Sequence, residues 1–297
     1  MTVAHEFGGP WTEEKLDRIR KYLPAFLKIF RANQWARHYE TVYVDAFAGT
    51  GHRADVPLDQ KAVNTLFPEW AEAETQEFLK GSARIALEQD PAFKQYIVID
   101  AAADHCTELE KLKDDFPLIA SRINIHQADA NTFLREWCEQ TNWETTRAVV
   151  FLDPYGMQVD WATVEAIAKT KAIDLWLLFP LGAAINRLLT SGGLPNDGWS
   201  NALTRTLGTD AWKDAFYKPR QKLTLFGVED VYEKDTNFEA IGQFFVDRLK
   251  SVFPMVAENP LPLRNSTNVP LYLLCFASAN GTAAKIARDV LRPAPRR

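Results

Sequence analysis

Apolar residues along the chain recur in two distinct periods. From Thr12 onward, Leu16, Ile19, Leu23, Phe26, Leu27 and Phe30 return at steps of three and four. That spacing is the apolar stripe of an amphipathic helix. Thr12 offers a cap and Glu13 and Glu14 place acids in the first turn. The pattern predicts a helix over 12–37, which Pro24 bends or splits.

Beyond residue 41 the rhythm changes to short apolar runs separated by helical patterns. Val42-Tyr43-Val44, Tyr96-Ile97-Val98-Ile99, Ala148-Val149-Val150-Phe151-Leu152 and Ile173 to Phe179 read as strands, as does the shorter Arg122 to His126. Residues 103–114, Thr132 to Glu139 and Trp161 to Lys169 read as the helices between them. Near-continuous apolar strands are buried on both faces, so the sheet is expected to be mostly parallel. Right-handed crossovers then give a doubly wound layer structure. Further along, 236–251 is helical, Leu271 to Ser278 is a strand and Gly281 opens a last helix. Two stretches break the alternation. Residues 52–80 carry Pro57, Pro68 and a run of acids. Residues 191–235 have no clear period and are expected to be a partly helical cover on the substrate side. The expected organisation is a helical lead-in over 1–40 and one α/β domain over 41–297, with insertions at about 52–80 and 191–235.

Candidate chemistry gathers at strand ends. In open α/β sheets ligands lie beyond the carboxyl ends of the strands. Asp45, Asp100, Asp129 and Asp153 follow four successive strands. Asp45 opens Asp-Ala-Phe-Ala-Gly-Thr-Gly, in which Gly49 and Gly51 allow close approach of backbone to a ligand and Phe47 stands between. An acid ahead of the glycines disfavours a dinucleotide pyrophosphate and suits a ligand carrying an ammonium group; this weighs against a dehydrogenase. Asp100 suits the hydroxyls of a ribose, or caps the helix after it. Asp129, within Gln127-Ala128-Asp129-Ala130, suits an adenine amino group or a helix cap. Asp153-Pro154-Tyr155-Gly156 combines an acceptor, a stiffened turn and a flat aromatic face on which a base can stack. His52 and Arg53 directly follow the glycine turn, and Arg187 follows the fifth strand. All three are candidate substrate contacts.

Composition narrows the classes. The chain has 297 residues, 46% hydrophobic and 25% charged, with a formal net charge of -5. That balance argues against a non-specific nucleic-acid binder, although a local basic cleft stays compatible with it. Cys106, Cys138 and Cys275 stand too far apart for a zinc motif. Cys275, inside an apolar run, is expected to fill core. Nothing near the start reads as an apolar signal segment, and no stretch approaches the ~18 uninterrupted apolar residues of a membrane span. A cytoplasmic location is expected.

Taken in order, Asp-x-Phe-x-Gly-x-Gly, the second-strand acid, Gln-Ala-Asp-Ala and Asp-Pro-Tyr-Gly resemble a class I methyltransferase dependent on S-adenosylmethionine (SAM). More narrowly, Trp11 to Leu16, Tyr43 to Gly49, Gly81-Ser82, Phe151 to Gly156, Phe179-Pro180 and Leu271 to Asn280 resemble the three-cysteine-motif partner family. The resemblance implies a Rossmann-like doubly wound sheet of the class I methyltransferase type with helical insertions. It also implies SAM as cofactor, bound by Asp45, Phe47, Gly49, Gly51, Asp100 and Asp129, and a protein partner that carries a three-cysteine motif. The three cysteines of this chain do not have that motif's spacing. Asp153-Pro154-Tyr155-Gly156 lacks the second proline of the adenine amino-methyltransferase pattern. It is closer to the Asp-Pro-Phe-Gly of transfer-RNA guanine-N2 methyltransferases. By that likeness Asp153, Pro154 and Tyr155 are catalytic and orient an exocyclic amine of a nucleic-acid base. A small-molecule or protein methyltransferase on the same fold, or a methyltransferase-like partner protein without catalysis, are the alternatives. The first needs no basic surface and the second predicts a filled cofactor cleft.

Overall fold

A computed structural model describes residues 10–48, 81–224 and 227–292. Its centre is a sheet whose strands run in the order β3-β2-β1-β4-β5-β10-β8, with β9 also pairing β10. The parallel part comprises β1 (Glu40–Ala46), β2 (Gln95–Asp100), β3 (Ile123–Gln127), β4 (Thr146–Leu152) and β5 (Ile173–Phe179). The chain steps outward from β1 to β3, then returns to lay β4 on the other side of β1. That reversal between β1 and β4 is the topological switch point at which such sheets bind ligands. β10 (Pro270–Ser278) runs antiparallel beside β5, flanked in turn by the short β8 (Met255–Val256) and β9 (Leu261–Arg264). Five parallel strands with an antiparallel strand beside the fifth are the Rossmann-like arrangement of the class I methyltransferase type.

Alternation of side chains across the sheet builds two cores. Val42, Val44, Ala148, Val150, Leu175 and Leu177 face one layer of helices: α4 (Ala130–Gln140), α5 (Trp161–Thr170) and α8 (Phe238–Val252). Tyr43, Tyr96, Val98, Val149, Phe151 and Trp176 face the other, formed by α1 (Pro10–Ala32), α2 (Ser82–Leu87), α3 (Ala103–Asp115) and α9 (Gly281–Val290). Both faces are dry, which is why the strands read as unbroken apolar runs. The second core is largely aromatic. Trp176 meets Tyr22 and Phe276 edge-on, each at 5.1 Å between ring centres, and such pairs contribute ~0.5–1.5 kcal/mol each beyond their buried area.

Several expectations are corrected. The first helix starts at Pro10 rather than after a Thr12 cap, ends at Ala32 rather than 37, and continues unbroken through Pro24. The expected apolar stripe is buried, with Ile19, Leu23, Phe26 and Leu27 in the core and Leu16 and Phe30 packed against it. The buried face is wider than that stripe, since Trp11, Lys15, Arg18 and Tyr22 are buried beside it. Residues 191–235 are partly helical, as expected, but they also carry a strand pair that no apolar period marks. They form α6 (Asp197–Leu207), the short α7 (Trp212–Phe216) and an antiparallel hairpin of β6 (Tyr217–Thr224) and β7 (Gly227–Lys234). The two helices pack into the α5–α8 core through Leu203, Leu207 and Trp212. The base of the hairpin is tied beside the end of β5: Tyr217 Oη donates to the Thr190 carbonyl at 3.1 Å and Lys234 Nζ to Asn186 Oδ1 at 2.8 Å. The insertion read at 52–80 lies outside the described residues.

Candidate functional site

The four acids lie at the carboxyl ends of four neighbouring strands, Asp45 and Asp100 within them and Asp129 and Asp153 just beyond. In register, Asp45 of β1 stands opposite Val98 of β2 and Phe151 of β4, and Asp100 of β2 opposite Gln127 of β3. Asp153 and Asp129 come one and two residues past their strands. Gly49, Gly51, His52 and Arg53 lie outside the described residues.

Asp45 is fully buried and points to the α1 layer. Tyr43 Oη donates to its Oδ2 at 3.3 Å, and the Ser82 side chain is a second donor. Its Oδ1 is buried and receives no hydrogen bond among the described residues. Burial pushes the carboxyl up to about 7; the Asp153 carboxylate adds to the rise, while Ser82, Tyr43 and the Lys15 ammonium oppose it. An orphaned acceptor is costly inside a protein, and here it sits at the first strand end. Two residues on, Phe47 has φ +68°. Left-handed backbone is normally glycine's, and a bulky side chain there costs on the order of 1–3 kcal/mol. Its ring packs on the α4–α5 core, and the next N–H, of Ala48, bonds to the Ile99 carbonyl at 3.0 Å. Packing and a backbone bond therefore hold a turn that local preference disfavours.

Asp100 accepts through a single oxygen. Its Oδ1 takes the Ala102 N–H at 2.6 Å and lies 3.1 Å from His105 Nδ1. The Oδ2 atom makes no bond among the described residues. Burial raises this carboxyl above the usual carboxylate range, against the pull of Ala102 and His105. The helix-cap alternative holds in modified form: Ala102 is the capping position of α3, and Asp100 ties down its N–H. Asp129 does cap α4, accepting from Thr132 N and Thr132 Oγ1, each at 2.9 Å.

Asp153 forms a buried ion pair with Lys15 of α1. The Nζ–Oδ2 distance is 2.6 Å, and the side chains are 2% and 4% exposed. Burial raises the Asp153 carboxyl and the ammonium lowers it. Asp153 Oδ1 accepts nothing among the described residues. Pro154 is buried and Tyr155 half-buried. The turn is fixed by Gln158 Oε1, which accepts the Tyr155 N–H at 2.9 Å, and by Gly156 at φ +68°. Arg187, in the helical turn after β5, lies near both Tyr155 and Tyr272, and burial lowers its pKa. The structure thus brings Asp45, Asp153, Tyr155 and Arg187 to one rim, with Asp100 and Asp129 further along it.

Sequence reasoning missed Lys15, Tyr43, Ser82, His105 and Tyr272. Lys15 had a signal: it stands four residues before Ile19 and four after Trp11, on the buried side of α1. A charged residue there requires a buried partner. Among the described residues no group of acids, histidines and cysteines could hold a metal ion. Cys138 and Cys275 are buried, and burial pushes both thiols up.

No family model and no curated protein matches this chain. Its fold is similar to those of several solved structures. A Legionella pneumophila protein is 13% identical over 84% of this chain and 94% of its own, with a TM-score of 0.40. Spermidine synthase from Thermotoga maritima is 11% identical over 94% of this chain, with a TM-score of 0.40; this chain spans 63% of its length. A ribosomal-RNA methylase from Streptococcus thermophilus is 12% identical over 74% of this chain and 94% of its own, at 0.29. At such scores the assignment of the fold rests on the strand order itself.

Proposed function

We propose that the protein is a SAM-dependent methyltransferase acting on an amine nitrogen, with an exocyclic amine of a nucleic-acid base as the first acceptor class to test. One observation carries this reading: acids stand at the carboxyl ends of four adjacent strands at the switch point, and the first holds a buried carboxylate oxygen without a donor among the described residues. The residues fit the cofactor. Asp45 would take its amino group, Asp100 Oδ2 its ribose hydroxyls, and the backbone around Phe47 and Ala48 would line it. SAM supplies an electrophilic methyl group. This chain's own residues would hold the acceptor. Asp153, paired with and aimed by Lys15, would accept an N–H through Oδ1. Tyr155 would stack on the acceptor, and Arg187 would meet an anionic group on it. Positioning and fixed charge would do most of the work. The net charge of -5 favours, as a second reading, a small or protein-borne amine. A protein partner with a three-cysteine motif rests on the sequence resemblance alone.

Calorimetry with S-adenosylhomocysteine, the demethylated product, tests the proposal. Saturable binding is expected, weakened about tenfold or more by Asp100→Asn and by less than that in Asp153→Asn. Absence of heat with folded protein would sink it. An equal loss in both variants would move Asp153 from the acceptor to the cofactor.

A further inference from the structure

The opposite, N-terminal edge of the sheet carries a separate hollow. It has a volume of about 200 Å³ and opens between α1, the approach to β1 and the starts of β4 and β5. Phe26 and Phe30 of α1 and Tyr39 form aromatic walls, Arg147 and Lys171 bring positive charge, and Asp174 brings a carboxylate. Asp174 is only 6% exposed although it is the second residue of β5. Tyr22 Oη donates to its Oδ2 at 2.6 Å and Ser278 Oγ to its Oδ1 at 2.5 Å. Each carboxylate oxygen has a further lone pair to offer. Burial pushes this carboxyl up to about 6, with the two hydroxyls opposing the rise.

The positive side is equally defined. The Arg147 guanidinium lies over the Tyr39 ring at 4.1 Å, and its Nη1 donates to the Trp143 and Thr146 carbonyls, each at 2.7 Å. Its orientation is therefore fixed, while Nε and Nη2 make no bond among the described residues. Lys171 is exposed, in left-handed backbone at φ +54°. It has no ion-pair partner among the described residues. A buried anion, two cations and an aromatic wall around one small space match a zwitterion with an apolar body. The space is smaller than the roughly 300–1,000 Å³ typical of drug-sized ligands.

We propose that this hollow binds a free α-amino acid with an apolar side chain. The ammonium group pairs with Asp174, the carboxylate with Arg147 and Lys171, and the side chain lies against Phe26 and Phe30. The site is independent of the SAM reading, since it lies at the other edge of the sheet.

Titration of the full chain with L-leucine and L-phenylalanine at pH 7.5 tests it. At least one should bind saturably, and L-leucinol and 4-methylvalerate, which lack one charge each, should bind about tenfold more weakly or worse. Arg147→Met, a change at a half-buried side chain that leaves the Asp174 hydroxyl bonds alone, should reduce affinity about tenfold, as should Asp174→Asn if it folds. Saturating S-adenosylhomocysteine should leave the affinity unchanged. No saturable heat up to about 10 mM amino acid, or equal binding by Arg147→Met, would overturn the assignment. Competition by S-adenosylhomocysteine would do so too, by placing the amino acid in the cofactor site.

Discussion

Lys15 and Asp153 illustrate how much one buried pair can hold in place. Removing one partner of such a pair leaves the other charge in a dry interior, which typically costs ~3–5 kcal/mol. Lys15→Met is therefore expected to destabilise the fold by about that amount in urea denaturation. Adding Asp153→Asn to it should restore most of the loss. A cost below about 1 kcal/mol for Lys15→Met alone would show that solvent reaches the pair. Asp45 behaves oppositely. Its ordinary value is 3.8 and its folded value about 7. Between these limits the folded state holds more protons than the unfolded chain, so this group's contribution to stability falls as pH rises from about 4 to 7 and is flat above. Asp45→Asn removes that penalty. It should stabilise the protein at pH 8, by ~1–4 kcal/mol, and give little or no gain near pH 4. Unfolding curves at the two pH values check this; an equal effect at both would mean that Asp45 titrates normally. The acids themselves were legible as strand-end residues. Their partners were not, because Lys15 lies 138 positions from Asp153 and Ser82 belongs to a different helix.

Elements with a clean period were read close to their true bounds. The helix expected over 103–114 is Ala103–Asp115, and the strand expected over 173–179 is Ile173–Phe179. Both patterns come from burial on defined faces, which the chain must encode locally. The β6–β7 hairpin was missed because β6 alternates Lys218, Arg220 and Lys222 with other residues, and no apolar face marks it as a strand. The main-chain ladder from Tyr217–Lys234 to Thr224–Gly227 holds it, with exposed ion pairs beside it: Arg220 Nε lies 3.0 Å from Glu233 Oε2, and Lys218 pairs with Asp235. The short strands β8 and β9 were missed for another reason. They are two and four residues long, in a proline-rich stretch, and exist as strands because β10 offers them a partner. Helix α6 ends at Gly208, in left-handed backbone at φ +69°, where an added Cβ would come within 2.0 Å of the Trp161 ring. Gly208→Ala is accordingly expected to cost more than the ~1 kcal/mol of a strained C-terminal cap, because the indole must also move. A lowered urea midpoint with an unchanged slope is the expected signature. A neutral result would show that α6 can shift away from α5.

At the scale of the whole molecule, one alternation of residues serves both edges of the sheet. Asp45 and Asp153 near one edge and Asp174 near the other share one side of the sheet, and a single 23-residue helix bonds both Asp153 and Asp174. Lys15 answers Asp153 near the start of that helix and Tyr22 answers Asp174 two turns later. Among the described residues no helix is long and apolar enough to cross a membrane. The sequence by itself determined the doubly wound sheet and the placing of acids at its strand ends, since apolar runs and the residues that end them are local properties of the chain. Only the tertiary structure decided which of those acids are capped, paired or orphaned, and that α1 supplies the cation of Asp153. Those outcomes depend on donors brought from distant segments, and on how completely each carboxylate is withdrawn from water.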